Sequence, residues 1–246
     1  MFPFFKRSQS ANIDLSFLAA DMHSHLLPGL DDGLETVDET IHFIQRLHQA
    51  GYRKLICTPH IFDGMYNNSP STVLPVLEKV RADVKKNNID IVIEAAAEYM
   101  IDHEFEQTVA NRKPLLTFGD HYILVEMSYI AASPFLEKVV FDLKVLGLKP
   151  ILAHPERYTY YHNNFEQYKN LKDRGCLLQL NLLSLSGYYG KPVKKIAEQL
   201  LAENMIDFAG TDMHHQAHMD MLFRYVSTKE FQKLLGNYPL KNASLV

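Results

Sequence analysis

The chain of 246 residues has no tryptophan and only two cysteines, and no stretch approaches 18 consecutive apolar residues. The last absence excludes a membrane-spanning helix from the reading. The opening MFPFFKRSQS places its apolar residues before its charges, the reverse of a secretory signal, so a cytoplasmic protein is expected. Cys57 and Cys176 both sit in apolar runs, where a buried free thiol is the ordinary state, and disulfides are not expected. Positive charge is not in excess either: 25 Lys and Arg against 29 Asp and Glu leave a formal net charge of −4. Holding nucleic acid by phosphate neutralisation needs the opposite balance, so nucleic acid is not an expected partner. No segment rich in Pro, Gly or Ser divides the chain. We therefore expect one domain over residues 18–246, with residues 1–17 a loosely held N-terminal extension that Phe2, Phe4 and Phe5 are suited to anchor.

What is present is a 47% hydrophobic fraction beside 22% charged residues, enough to build a core. Seven short apolar runs, at residues 18–22, 54–57, 91–97, 122–127, 150–153, 177–182 and 206–210, read as strands. Amphipathic segments lie between them. In residues 36–50, Val37, Ile41, Ile44 and Leu47 follow helical spacing, Thr36 and Glu39 form a capping box, and Gly51 closes the helix. Val73, Val76, Leu77, Val80 and Val84 mark a second helix with Pro75 in its first turn, and further helices are expected from Pro134 to Gly147, over 165–174 and over 192–203. Alternating units of this kind build either an open doubly wound sheet, where ligands gather at one switch point, or a barrel, where many strand ends converge. Six of the seven runs end in a potential metal ligand, and this favours the barrel.

Those ends are DMHSHLLPGLDDG, CTPH, AAAEY, LVEM, LAHPER and GTDMHH. They offer His23 and His25, two apart and so on one side of an extended chain, with Asp31 beyond, then His60, Glu98, Glu126, His154, Asp212 and His214. Nitrogen and oxygen donors without thiolate suit two or three divalent ions in a catalytic site, Mn first, with Fe or Zn as the other options. With three ions bound the site carries about +2, which attracts a phosphate dianion.

These motifs, spread from Asp21 to His218 and including QLNLLSLSGYYG and TDMH, resemble the polymerase and histidinol phosphatase superfamily. Within it they are similar to the bacterial tyrosine-protein phosphatases of capsular and exopolysaccharide operons. The resemblance implies a distorted seven-stranded TIM-like β/α barrel and a ligand scheme. In that scheme His23, His25, Glu98 and Asp212 hold one ion, Glu98 bridges to a second held by Glu126 and His154, and Asp31, His60 and His214 hold the third. It also makes Arg157 of HPER the grip on the substrate phosphate, and Arg157, Asp212 and His214 the candidate catalytic residues. Relatives carry a second arginine soon after the last Asp-x-His; the first one here is Arg224, twelve residues beyond Asp212.

The implied reaction is hydrolysis of phosphotyrosine by a metal-bound hydroxide, on a bacterial tyrosine kinase that controls polysaccharide export and is the expected partner. Neither cysteine has the C-x5-R spacing of a cysteine-based phosphatase. Tyr158, Tyr160, Tyr161, Tyr188 and Tyr189 are candidates for a rim that stacks on the phosphotyrosine ring, with Tyr158, Tyr188, Tyr189, Arg157 and Arg224 as substrate-binding residues. The competing readings are a small-molecule phosphatase acting on histidinol phosphate or a nucleotide, a C–N hydrolase of the amidohydrolase type, and a metal-loaded phosphopeptide-binding module without turnover.

Overall fold

Apolar runs become strands and the amphipathic segments between them become helices in the structure, a computed structural model that describes residues 13–246. The strands are β1 (Ala20–Asp21), β2 (Lys54–Cys57), β3 (His60–Ile61), β4 (Val92–Ala95), β5 (Glu98–Met100), β6 (Tyr122–Glu126), β7 (Lys149–Ala153), β8 (Leu177–Asn181) and β9 (Phe208–Gly210). Every ladder between them is parallel. They form two sheets, in the orders β1-β2-β4 and β3-β5-β6-β7-β8-β9. The α helices are α1 (Val37–Gln49), α2 (Pro70–Lys86), α3 (His103–Ala110), α4 (Leu136–Val145), α5 (Glu166–Asp173), α6 (Leu182–Ser186), α7 (Lys191–Ala202), α8 (Gln216–Val226) and α9 (Lys229–Leu235). This is a single α/β domain.

Among the described residues nine strands stand where seven were expected, for a local reason. Pro59, with no N–H to give a ladder, separates β2 from β3, and Ala96 and Ala97 separate β4 from β5. The chains stay in step across both breaks: Ala96 N donates to Cys57 O at 2.8 Å and Glu98 N to Pro59 O at 3.1 Å. Between the first and last strands, Ser24 and Met213 form a parallel bridge, with Asp212 N donating to His23 O at 2.8 Å and His25 N to Met213 O at 2.9 Å.

Alternation along the strands sorts the core into two parts. Ala20, Met22, Ile56, Leu124, Ile151 and Phe208 pack into one cluster that draws on strands of both sheets. The opposite faces, with Leu55, Cys57, Ile93, Val125, Leu152 and Leu178, pack beneath the helices. Each fully buried Leu or Ile contributes about 1.5–3 kcal/mol. Helix α1 buries Phe43, Ile44 and Leu47 and carries the expected capping box, Thr36 with Glu39. Helix α2 starts earlier than expected, at Pro70, so Pro75 lies inside it rather than in its first turn. Residues 13–17 are not loosely held: Leu15 is fully buried and its N–H donates to Ala50 O at 2.7 Å. Phe2, Phe4 and Phe5 lie outside the described residues.

Candidate metal centre

The donor side chains stand where strands end. His23 and His25 follow β1, His60 opens β3, Glu98 opens β5, Glu126 closes β6, His154 follows β7, and Asp212 and His214 follow β9. Five of them (His23, His25, Glu98, His154 and Asp212) are at most 2% exposed. His154 and Asp212 turn the chain in left-handed backbone, φ 33° and 49°, which costs a non-glycine residue about 1–3 kcal/mol and recurs at functional sites.

Neighbouring groups fix the imidazole tautomers. His23 Nδ1 donates to Gln179 Oε1 at 2.9 Å, and that amide is itself oriented by Nε2 donating to Leu180 O at 2.7 Å. His25 Nδ1 donates to Asp31 Oδ2 at 2.7 Å, and His214 Nδ1 to Asp212 O at 2.8 Å. The Nε2 lone pairs are therefore free, and they converge. His23 Nε2 lies 3.2 Å from His25 Nε2 and 3.1 Å from Glu98 Oε2, while His25 Nε2 lies 3.4 Å from the same oxygen. Asp212 Oδ1 adds contacts of 3.3 and 3.4 Å to these two imidazoles. Lone pairs facing lone pairs need a cation between them, either a proton or a metal ion. Donors 3.1–3.4 Å apart are spaced as ligands that would share one divalent ion, whose bonds to nitrogen are about 2.0–2.1 Å long. The donor set thus fits a divalent ion.

Two further groups of donors adjoin this one. His60 Nδ1 lies 2.9 Å from Glu126 Oε1 and 3.3 Å from Glu98 Oε2, yet makes no hydrogen bond to either. The other oxygen of Glu98, Oε1, lies 3.0 Å from His154 Nε2, so this carboxylate faces two sides. His154 also converges with His23 and Asp212, a grouping the sequence did not suggest. The third group is His25, Asp32, His60 and His214.

Asp32, not Asp31, belongs to that third group. Its Oδ1 lies 3.5 Å from His60 Nε2 and 3.6 Å from His214 Nε2. Asp31 is committed elsewhere: Oδ2 accepts from His25 Nδ1 and from His60 N at 3.0 Å, and Oδ1 accepts from Gly33 N at 3.0 Å. It orients an imidazole from behind, as does Gln179. The DDG motif holds both carboxylates, and only the turn of the loop separates their roles.

These groups open into a cavity of about 550 Å³, walled by Tyr66, Tyr129, Arg157, Tyr189 and His218 among others. Arg157 Nη1 donates to Asp212 Oδ2 at 2.9 Å, and its guanidinium lies between two rings, 4.2 Å from the Tyr189 centroid and 4.5 Å from that of Tyr129. The remaining guanidinium N–H groups have no partner among the described residues. The other substrate candidates are placed differently. Arg224 is on the exposed side of α8 with Nε donating to Asp220 O, away from the cavity. Tyr158 is fully buried, its hydroxyl accepting from Met127 N at 3.0 Å, and Tyr160 donates to Ser128 O. Neither these two nor Tyr161 and Tyr188 line the cavity; of the five candidates only Tyr189 does. Tyr66, stacked on His60 at 5.4 Å, and Tyr129, three residues beyond Glu126, were missed, although Tyr129 had the signal of following a ligand-bearing strand.

In the absence of ions, protons balance the charge. Burial pushes His23 down, but Glu98 and Asp212 outweigh it and raise it to about 9; His25 is raised in the same way against its burial, by Asp31. Burial also works against the ionised forms of Glu98 and Asp212, yet His23 holds both well below the usual carboxylate range. Burial and then the charge of Glu98 raise Glu126. Both thiols are pushed by burial up to about 12.

A family model described as capsular polysaccharide synthesis, CpsB/CapC, matches residues 19–243. The tyrosine-protein phosphatase YwqE of Bacillus subtilis (strain 168) is 30% identical over 229 residues, which cover 92% of this chain and 90% of the relative. The tyrosine-protein phosphatase CpsB of Streptococcus pneumoniae is 26% identical over 235 residues, covering 90% and 96%. A crystal structure from work on these two proteins, described there as unique metal-dependent tyrosine phosphatases, aligns with a TM-score of 0.77 at 29% identity over 92% of this chain and 95% of that one. The lactonase Lmo2620 of Listeria monocytogenes aligns with a TM-score of 0.54 at 11% identity over 96% and 92%, a likeness of fold alone. The family match spans nearly the whole chain, and the chain belongs to the CpsB/CapC family of capsular polysaccharide synthesis.

Proposed function

We propose that this chain is a metal-dependent protein-tyrosine phosphatase that hydrolyses phosphotyrosine monoesters. The observation that carries the reading is the convergence of imidazole Nε2 atoms and carboxylate oxygens, with the Nδ1 atoms of His23 and His25 spent on orienting partners, at the floor of a cavity walled by an arginine and tyrosines. His23, His25, Glu98 and Asp212 would hold one ion, Glu98 with Glu126 and His154 would hold a second, and Asp32, His60 and His214 would hold a third. Mn is our first choice of metal for this mixed set of imidazoles and carboxylates, with Fe or Zn as the other options. Divalent ions bound there supply Lewis acidity and bring the pKa of water toward neutrality.

The chain's own residues do the rest. Arg157 offers free N–H groups to the phosphate oxygens in a fork held by Asp212 and two tyrosine rings. Asp31 and Gln179 keep His25 and His23 aimed at the floor. Tyr129 and Tyr189 form aromatic walls that suit a phenyl ring above a buried floor. No thiol takes part, since both are deeply buried and hold their protons.

Two finer readings go with this one. The alignment of β2 with β3 and of β4 with β5 across their interruptions, and the bridge between Ser24 and Met213, support a distorted seven-stranded barrel. The relatives' names and the family's description support a phosphotyrosyl protein of capsular polysaccharide synthesis as the substrate, and we propose a bacterial tyrosine kinase of polysaccharide export, met in the cytoplasm, as that protein. No helix among the described residues is long and apolar enough to cross a membrane. The test is metal analysis followed by hydrolysis of p-nitrophenyl phosphate and phosphotyrosyl peptides with added Mn²⁺. Turnover lost with EDTA and in His60→Ala supports the reading; full metal occupancy with no turnover on any monoester refutes it.

A further inference from the structure

Beside the mouth of the metal centre lies a second cavity, of about 590 Å³, which no step of the proposed reaction uses. Strands β3 and β5 create both. They pair in register, His60 with Glu98 and Ile61 with Tyr99. Because side chains alternate, His60 and Glu98 face the centre while Ile61 and Tyr99 face the other way, into the second cavity. Its floor is apolar and rigid: Tyr99 stacks on Phe105 of α3 with centroids 4.7 Å apart, and Tyr99 also accepts a hydrogen bond from Leu116 N at 2.7 Å.

Tyr66 walls both cavities, and its ring lies on His60. A chain anchored at the metal centre therefore reaches the groove by crossing one tyrosine ring. Extended polypeptide advances about 3.3–3.6 Å per residue, so two or three residues next to the anchor make that crossing. The groove's charge is one-sided. Asp63, Asp102 and Glu104 stand against Lys113 alone, and Lys113 is already matched by Glu104 at 3.4 Å. Such a rim accepts neutral or basic neighbours and repels acidic ones.

We propose that this groove binds the polypeptide adjacent to the phosphotyrosine, seating an apolar side chain on the Tyr99–Phe105 floor and a basic one at the acidic rim. This rests on the phosphatase reading above, and it makes recognition of the protein substrate separate from recognition of its phosphate.

The experiment is steady-state kinetics of the Mn²⁺-loaded full chain on p-nitrophenyl phosphate and on two phosphotyrosyl peptides, one with Leu and Lys two and three residues from the phosphotyrosine and one with Glu at both places. The unmodified chain should show a KM about fivefold lower for the Leu/Lys peptide, on whichever side of the phosphotyrosine the pair is placed to face the groove. Thr108→Trp and Ser71→Trp, each adding bulk to a different groove wall, should abolish that preference while leaving kcat and KM for p-nitrophenyl phosphate unchanged. The small substrate reports folding, so a variant that fails to fold is recognised and the other still tests the groove. Equal KM for the two peptides in both placements, or a preference that survives both substitutions, overturns the groove and leaves the phosphatase standing. No turnover of any of the three substrates overturns the phosphatase reading itself and the groove with it.

Discussion

Asp31 and Asp32 are chemically identical neighbours, and the loop that carries them gives each a different task. Asp31 has spent both oxygens on His25, His60 N and Gly33 N, whereas Asp32 points toward His60 and His214 with a side chain 55% exposed. Their substitutions should separate accordingly. Asp32→Asn should lower the number of ions bound at saturating Mn²⁺ by one, as counted by elemental analysis. Asp31→Asn should leave that count intact and weaken affinity by about 10–100-fold, the usual effect of releasing an orienting partner. A result in which Asp31→Asn loses the ion and Asp32→Asn does not would return the third site to the assignment made from sequence. The cysteines make a second comparison at this scale. Thiols raised to about 12 are protonated at neutral pH and cannot attack phosphorus. The double variant Cys57→Ala, Cys176→Ala should hydrolyse p-nitrophenyl phosphate within about twofold of the unmodified rate when assayed folded, and iodoacetamide should not inactivate the native chain.

Between elements, one tight fit lies where the last strand meets the first. A Cβ on Gly210 would stand 2.7 Å from His23 Cβ and 3.0 Å from Gln179 Nε2, inside both van der Waals contacts. Gly210→Ala should therefore cost about 1–3 kcal/mol by overpacking. It should also weaken metal binding, because it presses on a donor and on that donor's orienting amide together. Thermal unfolding with and without Mn²⁺ checks both, and an equal loss of stability in the two conditions would show that the seam and the centre are uncoupled. At this scale much was legible beforehand. Apolar runs gave the strands, and the residues at or just beyond their ends gave His23, Glu98, Glu126, His154 and Asp212 as one constellation, because a strand end is a local property. The breaks at Pro59 and at Ala96–Ala97 were not legible, since backbone pairing across them depends on the neighbouring strand. Tyr66 and Tyr129 were missed, and Tyr158 and Arg224 misplaced, for a related reason: which way a loop tyrosine or a helical arginine faces is set by packing that no spacing encodes.

For the whole molecule, the ions belong to the stability ledger as well as to the chemistry. Ions that bind the folded chain and not the unfolded one raise stability by about 2.7 kcal/mol per site at a free concentration 100 times the dissociation constant. For a chain of this length that is about 5–10 °C in Tm per site. The metal-free form should in addition have a pH optimum set by the same residues. Glu98 and Asp212 have folded pKa values depressed by His23, so their contribution is present above the unfolded carboxylate range and is lost as pH falls through the depressed values. His23 is raised to about 9, so its contribution is present below its ordinary value near 6.5 and is lost as pH rises from there through 9. Asp21, raised by burial to about 6, loses stability over the adjoining range as pH climbs from its ordinary value through 6. EDTA-treated protein should therefore lose Tm steadily from pH 6.5 to 9. Protein loaded with Mn²⁺ should hold its Tm over that interval, because ions replace the protons that His23 would otherwise release. Differential scanning calorimetry of both forms across the interval decides this. Parallel slopes would mean that the buried imidazoles and carboxylates are balanced by something other than a bound cation.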